Sequence, residues 1–236
     1  MDSLSRVPSA LSDPVVVAFP LRGEGWVAVT TPATRVPSHG TDMLGQRYAY
    51  DFLRLDRRSR YHPAGVLRTL ILGVPTRECY AWGAPVHSPV DGEVVRAVDG
   101  VPERRRVHPI REAFSLIRNA VTFRPSKLSA IVGNHVVVRF GQHYAVFAHL
   151  ALGSVNVSAG DRVAVGDLLG RVGHTGNSTS PHLHFQLMDS ADPLTARGVA
   201  CAFRGYEVER DGTWVPVGAG IPRRGEWLRS TEMERA

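Results

Sequence analysis

The chain has 236 residues, 43% of them hydrophobic and 21% charged, with a net charge of +6 at neutral pH. This balance suits one or two packed domains and excludes a disordered chain. Two cysteines, Cys79 and Cys201, are too few for a disulfide framework or a thiolate metal cluster and are expected as buried thiols; their spacing does not say whether they pair.

Lys127 is the only lysine, so nearly all the positive charge is arginine. A basic surface suits anionic partners such as an acidic wall polymer, but it also simply keeps a protein soluble. No interleaving of basic and aromatic residues points to nucleic acid, and that partner is not expected. The 23 glycines and 16 prolines favour a turn-rich, mainly β fold.

Residues 1–21 read as a partly ordered leader, without the basic start and long apolar core of a secretory signal. "WVAVTT" (26–31) and "RYAYDFLRL" (47–55) alternate in the manner of strands. Residues 57–78 form an arginine-rich stretch around "VLRTLILGVP", which is too short and too interrupted to span a membrane. "VHSPVDGEVVRAV" (86–98) reads as strand, Asp-Gly turn, strand. An insertion at about 103–132 breaks the β pattern. Its Ile110, Phe114 and Ile117 recur at helical spacing after Pro109. "NHVVVRFGQHYAVFAHL" (134–150) reads as a hairpin turning at Gly141-Gln142, and 157–173 as short strands between Gly-Asp turns. "PHLHFQLM" (181–188) is a further strand, and 211–236 a C-terminal extension to a domain spanning 22–210.

The chemistry gathers in "GHTGNSTSPHLHFQL" (173–187). Alternate residues of a strand share a face, so His182 and His184 project together while Leu183 faces away. Paired imidazoles suit a zinc site or a base near neutral pH. A catalytic zinc takes three protein ligands, so others must be found elsewhere. Asp51 sits between the aromatics Tyr50 and Phe52, where an unpaired carboxylate is costly. His39 lies in the loop before that strand, Asp42 is a rival carboxylate, and His149 ends the strand "YAVFAH". His174 is expected to belong to the loop that aims the strand.

"GHTGNSTSPHLHF", "YAVFAHL", "VHSPVDGEVV" and "VSAGDRVAVGDLLGRVG" together resemble the lysostaphin-type, LytM-like zinc metallopeptidases over roughly residues 22–205. The resemblance implies the duplicated-hybrid-motif fold, a mainly β sandwich or barrel-like sheet, here with a short helical insertion. It implies one zinc ion and cleavage of a peptide or peptidoglycan substrate. It matches His184 and Asp51 to metal ligands and His149 and His182 to catalytic histidines. The family's usual histidine four residues before the aspartate is here Arg47, which cannot ligate a metal, and His39 is the nearest substitute. The family mostly acts outside the cytoplasm, whereas no export signal is visible, and oligomeric state is not encoded. Two rivals differ in class. A biotinyl or lipoyl carrier would need a lysine at a hairpin tip, and Lys127 sits in the insertion. A non-catalytic LytM-like binding or activator module would have no use for all three of His149, His182 and His184.

Overall fold

The computed structural model describes Leu11 and residues 13–121 and 128–231. Its strands in chain order are β1 (Val15–Ala18), β2 (Glu24–Thr30), β3 (Tyr50–Arg54), β4 (Val74–Pro75), β5 (Pro85–His87) and β6 (Gly92–Val98). Next come β7 (Arg106–Val107), β8 (Asn134–Phe140), β9 (His143–Leu150), β10 (Arg162–Val163), β11 (Leu168–Arg171) and β12 (Leu183–Met188). Last are β13 (Gly198–Val199), β14 (Cys201–Arg204), β15 (Tyr206–Arg210), β16 (Thr213–Val217) and β17 (Trp227–Ser230). Helices α1 (Val66–Leu72), α2 (Pro109–Val121) and α3 (Leu128–Val132) complete the set.

The fold is mainly β, and its large sheet runs β10-β6-β8-β9-β12-β3-β2-β17-β15-β16, with β13 also on β12. It does not close, so the barrel-like alternative does not hold among the described residues. Pairs β1–β14 and β5–β11 lie over its apolar face. Trp26, Tyr50, Phe52, Phe147 and Phe185 from the sheet pack there with Val17, Phe19, Val86, Leu169 and Phe203 from the cover. Phe19 meets Phe52 and Phe203 edge-on, with ring centroids 5.3 and 5.8 Å apart. Each such buried side chain contributes about 1.5–3 kcal/mol of transfer free energy.

Three boundaries differ from the sequence reading. The leader is not separate up to residue 21: β1 pairs in parallel with β14, and Val17 and Phe19 are core. Nor is 211–236 an appendage, because β16 and β17 are hydrogen-bonded into the main sheet. The stretch 86–98 does hold two strands, but they do not pair with each other. β5 joins β11, while β6 joins β8 and β10. Asp91 accepts the Val165 N–H at 2.8 Å, and Gly92 lies so close to β8 that a Cβ would sit 2.4 Å from the Arg139 carbonyl. The Asp-Gly pair is a crossing between sheets.

The insertion reverses its expected polarity. On α2, Ile110 and Phe114 are 65% and 66% exposed, whereas Glu112 is 4% exposed; the side chain of Ile117 lies outside the described ones, as does Lys127. Cys79 and Cys201 are both free thiols, buried in separate clusters. Burial pushes the Cys79 thiol up to about 12.

Candidate metal and catalytic site

The site lies on the face of the large sheet opposite the aromatic core. Alternation on β12 sends Leu183, Phe185 and Leu187 into that core, leaving His184, Gln186 and Met188 on the other face. On β3 the same rule buries Tyr50 and Phe52 and turns Asp51 outward. The strands pair in register with His184 opposite Asp51, so residues 133 positions apart are cross-strand neighbours.

His149 reaches this face by a different device. Regular alternation after Ala145 and Phe147 would drive it into the core. Instead it takes a left-handed backbone, φ 63°, and the pairing of β8 with β9 shifts by one residue between Asn134 and Val136. This bulge returns Leu150 to the core and turns His149 into the cleft.

Asp51 is the hub. Its Oδ2 lies 2.9 Å from His39 Nε2, and its Oδ1 lies 3.0 Å from His184 Nδ1 and 3.4 Å from His182 Nε2. One ligand atom each from His39, Asp51 and His184 falls within 4.8 Å of the other two. Burial alone would raise the Asp51 carboxyl. The facing His182 and His39 imidazoles overcome that and hold it well below the ordinary carboxylate range. The ring of His149 lies 4.9 Å from that of His182. All five residues expected from sequence line one cavity of about 300 Å³. Asp42 does not join them: it forms an ion pair with Arg47 at 2.7 Å. The arginine that replaces the usual histidine therefore engages the rival carboxylate.

The orientation of His184 was not legible in sequence. Gln186 donates its amide N–H to the Leu44 carbonyl at 2.8 Å, which leaves its Oε1 to accept the His184 Nε2 proton at 2.8 Å. His184 Nδ1 then carries a lone pair directed at the Asp51 carboxylate. A cation between these two acceptors would satisfy both, so the donor set fits a bound metal ion. On the other two imidazoles, Nδ1–H is taken by a backbone carbonyl. His149 donates to Thr175 at 3.0 Å and His182 to Ser180 at 2.7 Å. Both Nε2 atoms are left for chemistry. Burial, reinforced by the His182 and His184 rings, keeps His149 well below the ordinary imidazole range. Burial opposes a charge on His182 too, but Asp51 outweighs it and raises that ring.

Loop 173–180 is held by the insertion. Arg104 donates to the Gly176 carbonyl at 2.7 Å and to the Ser178 carbonyl, and pairs with Glu112 at 3.2 Å. His174 lies between them, its Nε2 3.2 Å from Arg104 Nε and 3.3 Å from Glu112 Oε1, and its Nδ1 3.1 Å from Ser178 Oγ. Burial holds His174 below its ordinary value. His174 thus belongs to the loop, as the sequence suggests. Gly176 and Gly133, both at positive φ, let this loop cross the end of α3 with backbones touching; a Cβ on Gly176 would lie 2.4 Å from the Ile131 carbonyl.

A buried Asp-centred cluster of histidines, on one face of an open β sheet, forms a candidate metal site. Residues 114–196 match the family model described as Peptidase family M23, and the chain carries an M23 domain of the lysostaphin and LytM kind. The glycyl-glycine endopeptidase ALE-1 of Staphylococcus capitis is 44% identical over 61 residues, 25% of this chain. The peptidoglycan DD-endopeptidase ShyA of Vibrio cholerae is 38% identical over 64 residues, 27% of this chain. The matched stretches span only 16% and 15% of those relatives. Among solved structures, the catalytic domain of lysostaphin from Staphylococcus simulans aligns over 75% of this chain and 88% of its own, at 21% identity and a TM-score of 0.37.

Proposed function

We propose that the chain is a zinc-dependent endopeptidase that hydrolyses peptide bonds in peptidoglycan cross-links or stem peptides, working in the cell envelope. The observation that carries this reading is Asp51 set between His39 Nε2 and His184 Nδ1, with the Nε2 atoms of His149 and His182 presented to the same cavity. His39, Asp51 and His184 would hold the ion. When bound, zinc supplies a Lewis acid that activates water and polarises the scissile carbonyl.

The chain's own residues do the rest. His182, raised by Asp51, holds or accepts a proton at Nε2 as the water attacks, and returns it to the leaving amine. His149, kept neutral, aims its Nε2 at the reacting centre, and its strained backbone fixes that aim. Gln186 fixes the tautomer of His184. Among the described residues no helix is long and apolar enough to cross a membrane.

The test is digestion of purified peptidoglycans of different cross-link types, with and without chelator, reading new termini by mass spectrometry. The reading predicts cleavage that chelator stops and zinc restores. A zinc-loaded protein that binds these polymers but creates no new terminus would be a binding module instead.

A further inference from the structure

The cavity continues well past the metal cluster, and that extension differs in character. Cross-strand register places Arg96 on β6 opposite Val137 on β8, Val137 opposite Val146 on β9, and Val146 opposite Gln186 on β12. All four line the cavity. The floor is apolar: Val137, Val146 and Met188 are buried together. A shift in the β6–β8 register between Val94 and Arg96 puts Arg96 on this face. Among the described residues Arg96 has no acidic partner and no hydrogen bond, whereas at least twelve other described arginines hold such contacts.

His135, next to Arg96, gives its Nδ1 proton to the Gly133 carbonyl at 2.8 Å, so its Nε2 is an acceptor. The far end of the groove therefore offers one guanidinium, one neutral acceptor and an apolar floor, and no carboxylate competes there for the guanidinium. α3 closes the side with Leu128, Ile131 and Val132.

We infer that Arg96 forms a subsite for a carboxylate of the peptide substrate, which makes this a peptidase for acidic stem peptides rather than for uncharged glycine bridges. The inference rests on the peptidase reading above and names the substrate class of the same site. A guanidinium is a fork for carboxylates, and it gains most where no other acid neutralises it. Three strand spacings, about 14 Å, separate the β6 and β12 backbones. An extended peptide crosses that distance in about four residues, or in fewer when one carries a long acidic side chain. A polyglycine strand would leave both the apolar floor and the guanidinium without partners.

The experiment compares wild type with Arg96→Gln, Arg96→Lys and Arg96→Glu on two forms of one substrate. These are native peptidoglycan and the same peptidoglycan with its free carboxyls converted to amides. Zinc content and thermal melting of each variant are measured alongside. The expected result on native material is a KM raised about tenfold or more in Arg96→Gln, with kcat within about twofold. Arg96→Glu should be worse and Arg96→Lys intermediate. Amidation should cost wild type the same factor while leaving Arg96→Gln unaffected. Equal cleavage of both substrates by wild type, or an Arg96→Gln enzyme matching wild type on native material, overturns the subsite. An anion effect from wall phosphates would survive amidation and would likewise overturn it. Failure of zinc-loaded wild type to cut either substrate instead removes the peptidase reading, and this inference with it.

Discussion

On the sheet side of the cleft, Asp51, His184 and Gln186 stand on neighbouring strands, and the ladder that fixes their register also buries Phe52 and Phe185 behind them. On the other side, loop 173–180 and the end of α3 are held by a handful of contacts, from Arg104, Glu112, Glu103 and Thr175, two backbone hydrogen bonds and a glycine-to-glycine crossing. The first side is redundant, since many backbone hydrogen bonds and a shared core hold each side chain. The second is concentrated in a few polar contacts. Two of the three candidate metal ligands, Asp51 and His184, stand on the redundant side, where small errors of position are corrected by the strands, while His39 comes from the loop before β3. The carbonyls of Thr175 and Ser180, which set the tautomers of His149 and His182, belong to the concentrated one. Chemistry in this cleft thus depends on both sides, and each can be broken separately.

The largest effect should come where the two sides meet. His182→Ala should lower kcat on peptidoglycan by about 10²–10⁴ while leaving metal content intact. Loss of the ion in that variant would show His182 to be a ligand. Next is the concentrated side. Arg104→Met leaves Glu112 buried without its cation and should cost about 3 kcal/mol in urea unfolding. Arg104→Met combined with Glu112→Leu should recover much of that loss. Unchanged stability in the single variant would mean that the pair does not hold the loop. On the redundant side, Gln186→Leu should leave folding intact yet weaken metal affinity by about 10–100-fold, since His184 loses the acceptor that orients it. Competition with a chromophoric chelator measures this, and an unaltered affinity would remove Gln186 from the account.

The smallest effect is in pH. Burial holds His135 and His174 below the ordinary imidazole value of about 6.5. The folded state keeps both neutral, so the unfolded chain takes up their protons first as pH falls. Stability is complete above about pH 6.5 and is lost on acidification toward the folded values, by at most about 1.4 kcal/mol per pH unit for each ring. Urea midpoints between pH 7.5 and 5.5 should fall, and His174→Gln should flatten the slope. The same slope in His174→Gln would place the acid sensitivity elsewhere.

What could be read from sequence follows the same division. Alternation exposes His182, His184 and Asp51 because two-residue periodicity is local, and a carboxylate between Tyr50 and Phe52 stands out. Gln186 shares that face and was legible in principle, at two residues beyond His184. His149 was found as a strand-end histidine, but the bulge that turns it was not, because register shifts depend on the partner strand. The apolar spacing of α2 predicted a helix and found one, yet pointed to the wrong buried residue. Glu112 is drawn inward by Arg104, eight positions earlier and outside the helix. Strands β14 to β17 went unread since nothing in 201–230 marks which sheet they extend. His39 could be chosen only as the nearest histidine, and its meeting with Asp51 depends on the loop between them.

The central claim is that His39, Asp51 and His184 grip a single cation, and metal content tests it most directly. After loading with zinc and exhaustive dialysis, inductively coupled plasma mass spectrometry should find one zinc per chain in wild type and in Asp42→Ala, and essentially none in Asp51→Ala. A folded Asp51→Ala protein that keeps its full zinc complement would contradict the account.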